Sequence, residues 1–421
     1  MTTILVTGAA GFIGFHVAQQ LIARRVEVVG VDDLNDYYAL QLKQDRLRQL
    51  DCAENFRFEQ FNIADTERIV SLFKNTQFDA VVHLAAQAGV RYSLLNPYAY
   101  IDSNLVGFSR ILEGCRHFGV KHLVFASSSS VYGLNKEVPF AVAHNVDYPA
   151  SLYAATKRAN ELMAFSYSHL YNIAATGLRF FTVYGPWGRP DMAIYAFADA
   201  IMAGRPIQLF NNGRMRRDFT YIDDVVEGVV RVMDRPPYCR RRSGPEEGGV
   251  NSSDAPYILC NIGNSHPVEL LQIVELLERN LGRKAICEMV PMQPGDVIET
   301  YADVSELARD TGFRPHTPIE EGIRRFVEWY RWYHGLLIAL FVFPEVTRAF
   351  YGVCGRRAPK KCHRCAIRFV VQQWQDRGCW SAAVGGESAV GAADVRRMSA
   401  DDIPISLSAA LGVMSSPTWT A

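Results

Sequence analysis

The chain has 421 residues, of which 49% are hydrophobic and 21% charged. That length suits two structural units plus extra segments, and the composition excludes disorder of the whole chain. Lys plus Arg and Asp plus Glu balance at 44 each, so bulk charge draws the chain toward neither nucleic acid nor an anionic membrane.

Nine cysteines, with Cys52, Cys115, Cys239, Cys260 and Cys287 far apart, make no disulfide framework and suit a reducing cytoplasm. Met1-Thr2-Thr3 leads straight into the apolar run Ile4–Thr7, so no signal peptide is expected. The longest apolar run, Leu336–Phe343, is well short of the roughly 20 residues of a membrane span. No membrane partner is expected.

In chain order, Ile4–Thr7 reads as a strand, Phe15–Ala23 as a helix and Val26–Val31 as a β-branched strand ending in Asp32-Asp33. Phe56–Phe61 alternates like a strand with one wetter face. Ala80–Leu84, His122–Ala126 and Ala175–Phe180 continue the series, with helical stretches between them. Strands alternating with helices predict βαβ units, hence a parallel sheet covered on both faces. After about Gly185 the rhythm changes: a helix is expected at Ala193–Ala203, a strand at Ile207–Phe210 and helices at Pro267–Leu281 and Ile319–Tyr333. Pro236–Pro256, rich in Pro, Arg, Gly and Ser, reads as a surface linker. The expected division is a sheet domain at 1–185, a smaller α/β lobe at 186–334 and an atypical extension at 335–421. In that extension Cys362-His363-Arg364-Cys365 has CxxC spacing. Cys354 and Cys379 make no matching second pair, so no metal site is expected.

Between the first strand and the first helix lies Gly8-Ala9-Ala10-Gly11-Phe12-Ile13-Gly14. Glycines there permit a tight turn and let backbone N–H groups approach a pyrophosphate at a helix N-terminus. The order strand, turn, helix strengthens that signal, and a Rossmann-type doubly wound fold is expected. Asp32 ends the second strand, where a carboxylate accepts from both adenosine ribose hydroxyls and repels a 2′-phosphate. The cofactor expected is NAD rather than NADP. Leu84-Ala85-Ala86 offers small residues where backbone passes the cofactor.

Tyr153 and Lys157 stand at i and i+4 on one helical face. Upstream, Ser127-Ser128-Ser129-Ser130 ends a predicted strand on the cofactor side of the sheet. Serine, phenol and ammonium together form a proton relay. The lysine and the nicotinamide charge are expected to lower the Tyr153 pKa from about 10 toward the working range.

These motifs resemble the extended short-chain dehydrogenase/reductases over about residues 1–334. Within that superfamily, Asp33–Tyr38, Gly89–Ser93, Thr182–Met192, Arg217–Asp224 and Gln293–Val297 are similar to the UDP-glucuronate 4-epimerases. The resemblance implies Ser128, Tyr153 and Lys157 as catalytic residues. It implies cofactor contacts from Gly8, Gly11, Phe12, Ile13, Gly14, Asp32, Asn62, Ile63, Leu84, Ala85, Ala86, Ser127, Tyr153, Lys157 and Phe180. For a UDP-sugar it implies Arg91, Ser129, Thr182, Arg189 and Arg217, with the first and fourth as candidates to pair a sugar carboxylate and the last to pair the diphosphate. It also implies a cofactor kept between turnovers and a homodimer built on Tyr98–His117 and Leu152–Tyr171.

Asn62 stands where relatives usually carry Asp, and the residues after about His334 match nothing expected of the family. Ser127–Ser130 lacks the acid that dehydratases and decarboxylases of this fold place there. Two alternatives stay open: an epimerase of the neutral sugars UDP-glucose or UDP-N-acetylglucosamine, and a catalytically silent NAD-binding scaffold.

Overall fold

In the computed structural model, which describes residues 2–237, 254–292 and 299–335, strands and helices alternate from the start. Strand β1 (Thr3–Thr7) leads to helix α1 (Phe12–Ala23), β2 (Glu27–Asp32), α2 (Leu40–Leu50), β3 (Phe56–Gln60), α3 (Thr66–Asn75) and β4 (Ala80–His83). Two one-turn helices, α4 (Tyr92–Leu95) and α5 (Pro97–Tyr100), run into a π-helical segment at Ile101–Gly107 and then α6 (Phe108–His117). After β5 (His122–Ser128) come α7 (Leu152–Tyr171), β6 (Ala174–Phe180) and the short β7 (Thr182–Tyr184).

The later part contains α8 (Ala193–Ala203), β8 (Pro206–Phe210), β9 (Arg216–Tyr221), α9 (Ile222–Met233), β10 (Tyr257–Ile262) and β11 (Pro267–Glu269). It continues through α10 (Leu270–Leu281), β12 (Ile286–Val290), β13 (Glu299–Thr300), α11 (Ser305–Thr311) and α12 (Ile319–Tyr333). The expected helix at Pro267–Leu281 is thus two elements. Pro267–Glu269 pairs antiparallel with β9 before the helix begins, and three residues of strand leave no periodicity of their own.

Seven strands form one sheet in the order β10-β6-β5-β4-β1-β2-β3, and every adjacent pair is parallel. The order reverses between β1 and β4, the switch point at which ligands of open α/β sheets bind beyond the strand C-termini. β10 comes from the later part of the chain, so the chain leaves this sheet after β6 and returns to its edge. β9, β11, β13 and β7 form a second small sheet, and β8 pairs with β12. Residues up to Tyr333 form one compact unit. The predicted linker is described only at its two ends, and nearly all of the expected extension, with its CxxC, lies outside the described residues.

One face of the large sheet buries Leu5, Val29, Val81, Leu123 and Phe125 against Ile69, Leu72 and Phe73 of α3 and Phe108, Ile111 and Leu112 of α6. Each such side chain contributes roughly 1.5–3 kcal/mol on leaving water. A smaller core (Val131, Tyr132, Phe140, Phe181, Ala302, Val304) joins the end of β5 to the later part. Among the described residues no helix is long and apolar enough to cross a membrane.

Candidate active site

The turn after β1 is built by glycine chemistry at two positions. Gly8 has φ +74°, and a Cβ there would lie 2.8 Å from the Ala85 nitrogen. A Cβ on Gly14 would sit 2.0 Å from the Gly8 carbonyl oxygen, so α1 packs onto the turn more closely than any side chain permits. The turn therefore presents bare backbone at the α1 N-terminus.

Asp32 is buried at the end of β2 and accepts from Ala10 N–H (3.2 Å) and Leu34 N–H (2.9 Å). Burial raises its pKa, opposed by Lys43 and the Leu34 N–H. A carboxylate offers about four acceptor positions, so these two donors leave capacity for a vicinal diol. That spare capacity, at the end of the strand beside a bare glycine turn, fits the adenosine ribose of NAD.

Tyr153 and Lys157 project from the first two turns of α7, which Ser151 caps by accepting from Ala154 N–H (3.1 Å). Lys157 Nζ donates to the Ala126 carbonyl (2.9 Å), and burial pushes its pKa down to about 8. For Tyr153 the expected lowering is not present in the protein alone. Burial dominates and raises the phenol, with a hydrogen bond to Ser128 and the charge of Arg189 pulling the other way. Behind the site, burial and Lys157 push His83 down to about 3, so it is neutral where its Nδ1 meets Thr7 Oγ1 (2.8 Å).

A cavity of about 360 Å³ joins these groups, within the range of small-molecule sites. Its walls include every cofactor and catalytic residue expected from the sequence, together with Ser129, Thr182 and Arg189. Ser127 is on the wall, yet its hydroxyl donates to the buried Glu161 (2.6 Å). Asn62 bonds Asp33 Oδ2 through its amide (3.2 Å). Arg91 and Arg217 are not on this wall. The Arg91 guanidinium lies over the Phe210 ring at 5.0 Å, and Arg217 donates to the Arg216 carbonyl (2.9 Å).

Arg189 is forked onto Asp191, Nε to Oδ1 at 3.0 Å and Nη2 to Oδ2 at 2.5 Å. Tyr37 OH also donates to Asp191 Oδ2 (3.2 Å). Burial disfavours the Arg189 charge, but Asp191 outweighs it and the pKa stands above its ordinary value.

Several wall or supporting residues had no signal in the sequence. Lys43 is buried and bonds Asn35 O (2.8 Å) and Oδ1 (2.9 Å). Asn104, in the π-helical segment, bonds Gln87 O (3.0 Å) and Thr156 Oγ1 (3.0 Å), and so ties the loop after β4 to α7. Arg46 is fully buried and donates to the carbonyls of Ala10 (2.9 Å), Trp187 (2.6 Å) and Gly188 (3.2 Å) and to Tyr38 OH (2.7 Å). It thereby joins the glycine turn to the segment carrying Arg189. A helical Lys or Arg in sequence looks like solvated surface, and only long-range packing reveals otherwise.

The NAD dependent epimerase/dehydratase family model matches residues 4–239. The chain belongs to this family. Among family relatives, a probable UDP-glucuronate 4-epimerase of Rhizobium meliloti is 50% identical over 327 residues, covering 77% of this chain and 96% of the relative. A solved structure of UDP-glucuronic acid 4-epimerase from Bacillus cereus, in complex with UDP-glucuronic acid and NAD, is 30% identical with a TM-score of 0.69, covering 78% of this chain and 99% of that one. A UDP-glucose 4-epimerase from Thermotoga maritima, solved with UDP-glucose, is 28% identical with a TM-score of 0.68, covering 78% and 99%. Family membership accounts for the glycine turn and the Tyr-Lys helix facing one cavity.

Proposed function

We propose that this chain is an NAD-dependent isomerase that inverts C4 of a UDP-sugar, converting UDP-glucuronate to UDP-galacturonate. The observation that carries this reading is the meeting of Ser128, Tyr153, Lys157 and Arg189 with the glycine turn and Asp32 on one cavity wall. Gly8, Gly11, Gly14 and Asp32 hold NAD, with Ala85 and Phe180 against its path. Bound NAD supplies a hydride acceptor and donor, so the isomerisation needs no external redox partner. Tyr153 takes the proton of the 4-hydroxyl and returns it after the sugar has turned over, Ser128 orients that hydroxyl, and Lys157 holds charge beside the phenolate. Thr182 and Ser129 border the sugar, and Arg189 meets its carboxylate. Arg91 and Arg217, off the cavity wall, remain the candidates for the sugar carboxylate and the diphosphate respectively. The catalytic lobe at 1–185, the sugar lobe at 186–334 and an extension at 335–421 form the domain plan of this reading.

The second reading is the neutral-sugar epimerase, and one observation favours it. Arg189 already has Asp191 as partner, so a neutral sugar leaves no unpaired guanidinium. Incubating the protein with UDP-glucuronate and UDP-glucose and separating the products tests both readings. Preferred turnover of UDP-glucose overturns the first, and no turnover of either leaves a silent NAD scaffold.

A homodimer belongs to the same proposal. On the two expected segments Tyr98 is more than three-quarters exposed and Leu170 about two-thirds, and Leu94 and Leu95 of the adjoining α4 are as exposed as Tyr98; a second copy would cover this apolar surface. Light scattering reads the stoichiometry. A cytoplasmic setting accords with Cys52, Cys115, Cys260 and Cys287, which form no disulfide among the described residues.

A further inference from the structure

Glu161 lies two turns beyond Tyr153 and one beyond Lys157 on the same face of α7, about 12 Å along the axis from the phenol-bearing residue. Its carboxylate is fully buried. Oε1 accepts from Ser127 Oγ (2.6 Å) and Arg179 Nε (2.8 Å), and Oε2 accepts from Arg179 Nη2 (2.9 Å) and Arg158 Nη1 (3.1 Å). Both oxygens are thus doubly engaged, and no acceptor position is left slack. Arg179 is 1% exposed. Its third nitrogen donates to the Val142 carbonyl (3.2 Å), and its guanidinium covers the Tyr132 ring at 4.9 Å.

The placement of these groups is what gives the pair meaning. Ser127 and Arg179 are register partners across β5 and β6, and the next pair is Ser128 with Phe180. The pair therefore sits directly behind the serine of the proton relay and the cofactor-wall phenylalanine. On the other side, Lys157 fastens α7 to Ala126, the residue before Ser127.

Energetics argue that such a pair is not there for stability. Removing two charges from water costs about what their attraction returns, and an apolar pair of similar volume is usually as stable or more so. A forked guanidinium–carboxylate contact differs from an apolar one in fixing direction and distance. We propose that Glu161 and Arg179 are positioning residues for the reaction: through Ser127 they set the distance between the helix bearing Tyr153 and Lys157 and the strand end bearing Ser128. This rests on the epimerase reading above. A proton relay loses rate steeply when its partners shift, with about 1 Å costing about a hundredfold.

The test is the double replacement Glu161→Met/Arg179→Met in the full chain, beside the unaltered protein. The double variant should fold, melt close to the parent and retain NAD through purification. Its kcat on UDP-glucuronate should fall about 10- to 100-fold, with KM changed by no more than about threefold. A folded, NAD-loaded double variant with parental kcat overturns the proposal, because a purely structural pair predicts that result. Should the double variant fail to fold, Ser127→Ala cuts only the link to β5. It should keep NAD and KM and lose about tenfold in kcat, the value of one hydrogen bond, while Ser127→Thr should restore the rate. Parental kcat in Ser127→Ala overturns the proposal equally. An unaltered chain that retains NAD but converts no UDP-sugar instead overturns the epimerase reading, and this role with it.

Discussion

Replacing Lys157 by Met should make the protein more stable while abolishing its activity. Burial takes the ammonium from its ordinary pKa of 10.5 to about 8. At about 1.4 kcal/mol per pH unit, keeping the charge in place near neutrality costs about 3 kcal/mol. The variant escapes that cost but leaves the Ala126 carbonyl without its donor, a loss of about 1–3 kcal/mol. Methionine fills the volume of the lysine stem, so no cavity is added. The net expectation is a gain of about 0–2 kcal/mol near pH 7.

The pH dependence is the sharper signature. Below pH 8 folded and unfolded chains both hold the proton, so the wild-type penalty is complete. Between about 8 and 10.5 the folded chain has shed the proton and the unfolded chain has not, so wild-type stability rises with pH. The variant has nothing to titrate there. Its advantage should shrink across that window and reverse at the top, when a neutral lysine still holds Ala126. Urea unfolding of both proteins freed of NAD, from neutrality to about pH 10, measures the difference. Parallel stability curves would refute the reasoning, as would a variant less stable than wild type at neutral pH.

Other expectations bear on the chemistry. Tyr153→Phe should retain fold and NAD content and lose roughly 10²–10⁴-fold in kcat; near-normal turnover would remove the phenol from the reaction. Arg189→Leu should harm UDP-glucuronate more than UDP-glucose, read as the ratio of their kcat/KM values, and equal loss would move the arginine to the diphosphate. Asp191→Asn frees Arg189 of its partner, and should raise the preference for the acidic sugar by about threefold to tenfold, the worth of an unpaired, half-buried charge against a neutral ligand. A chain ending at Gly335 should keep NAD and activity, whereas one ending before Trp329 should not. That last turn of α12 packs Trp329 and Tyr333 on Trp187 and carries the Tyr333 bond to Asp45 (2.9 Å).

What could be read from sequence was what neighbours in sequence determine. The glycine turn, Asp32 at a strand end and the Tyr153–Lys157 spacing each draw their meaning from a few adjacent residues and a known element period, and each lies on the cavity wall. The helices Ala193–Ala203 and Ile319–Tyr333 were legible from their apolar spacing alone. The supporting shell was not. Glu161 and Arg179 are 18 positions apart, and Arg46 reaches 141 positions to Trp187; nothing local distinguishes such residues from solvated charges. The burial that raises the Tyr153 phenol was not legible either, because burial is a property of the folded chain, and its cost exceeds what Ser128 and Arg189 return.

The grip of Arg46 has an evolutionary corollary. Besides the Tyr38 hydroxyl, its partners beyond the turn are the main-chain oxygens of Trp187 and Gly188, and every amino acid possesses such an oxygen. Cavity-facing side chains of that stretch, such as Arg189, can therefore be exchanged without breaking these bonds, while Trp187 stays held by its packing on Phe15 and Trp329. Residues facing the sugar can thus change while the spacing to the nucleotide side stays fixed, which separates the choice of sugar from the placement of the chemistry.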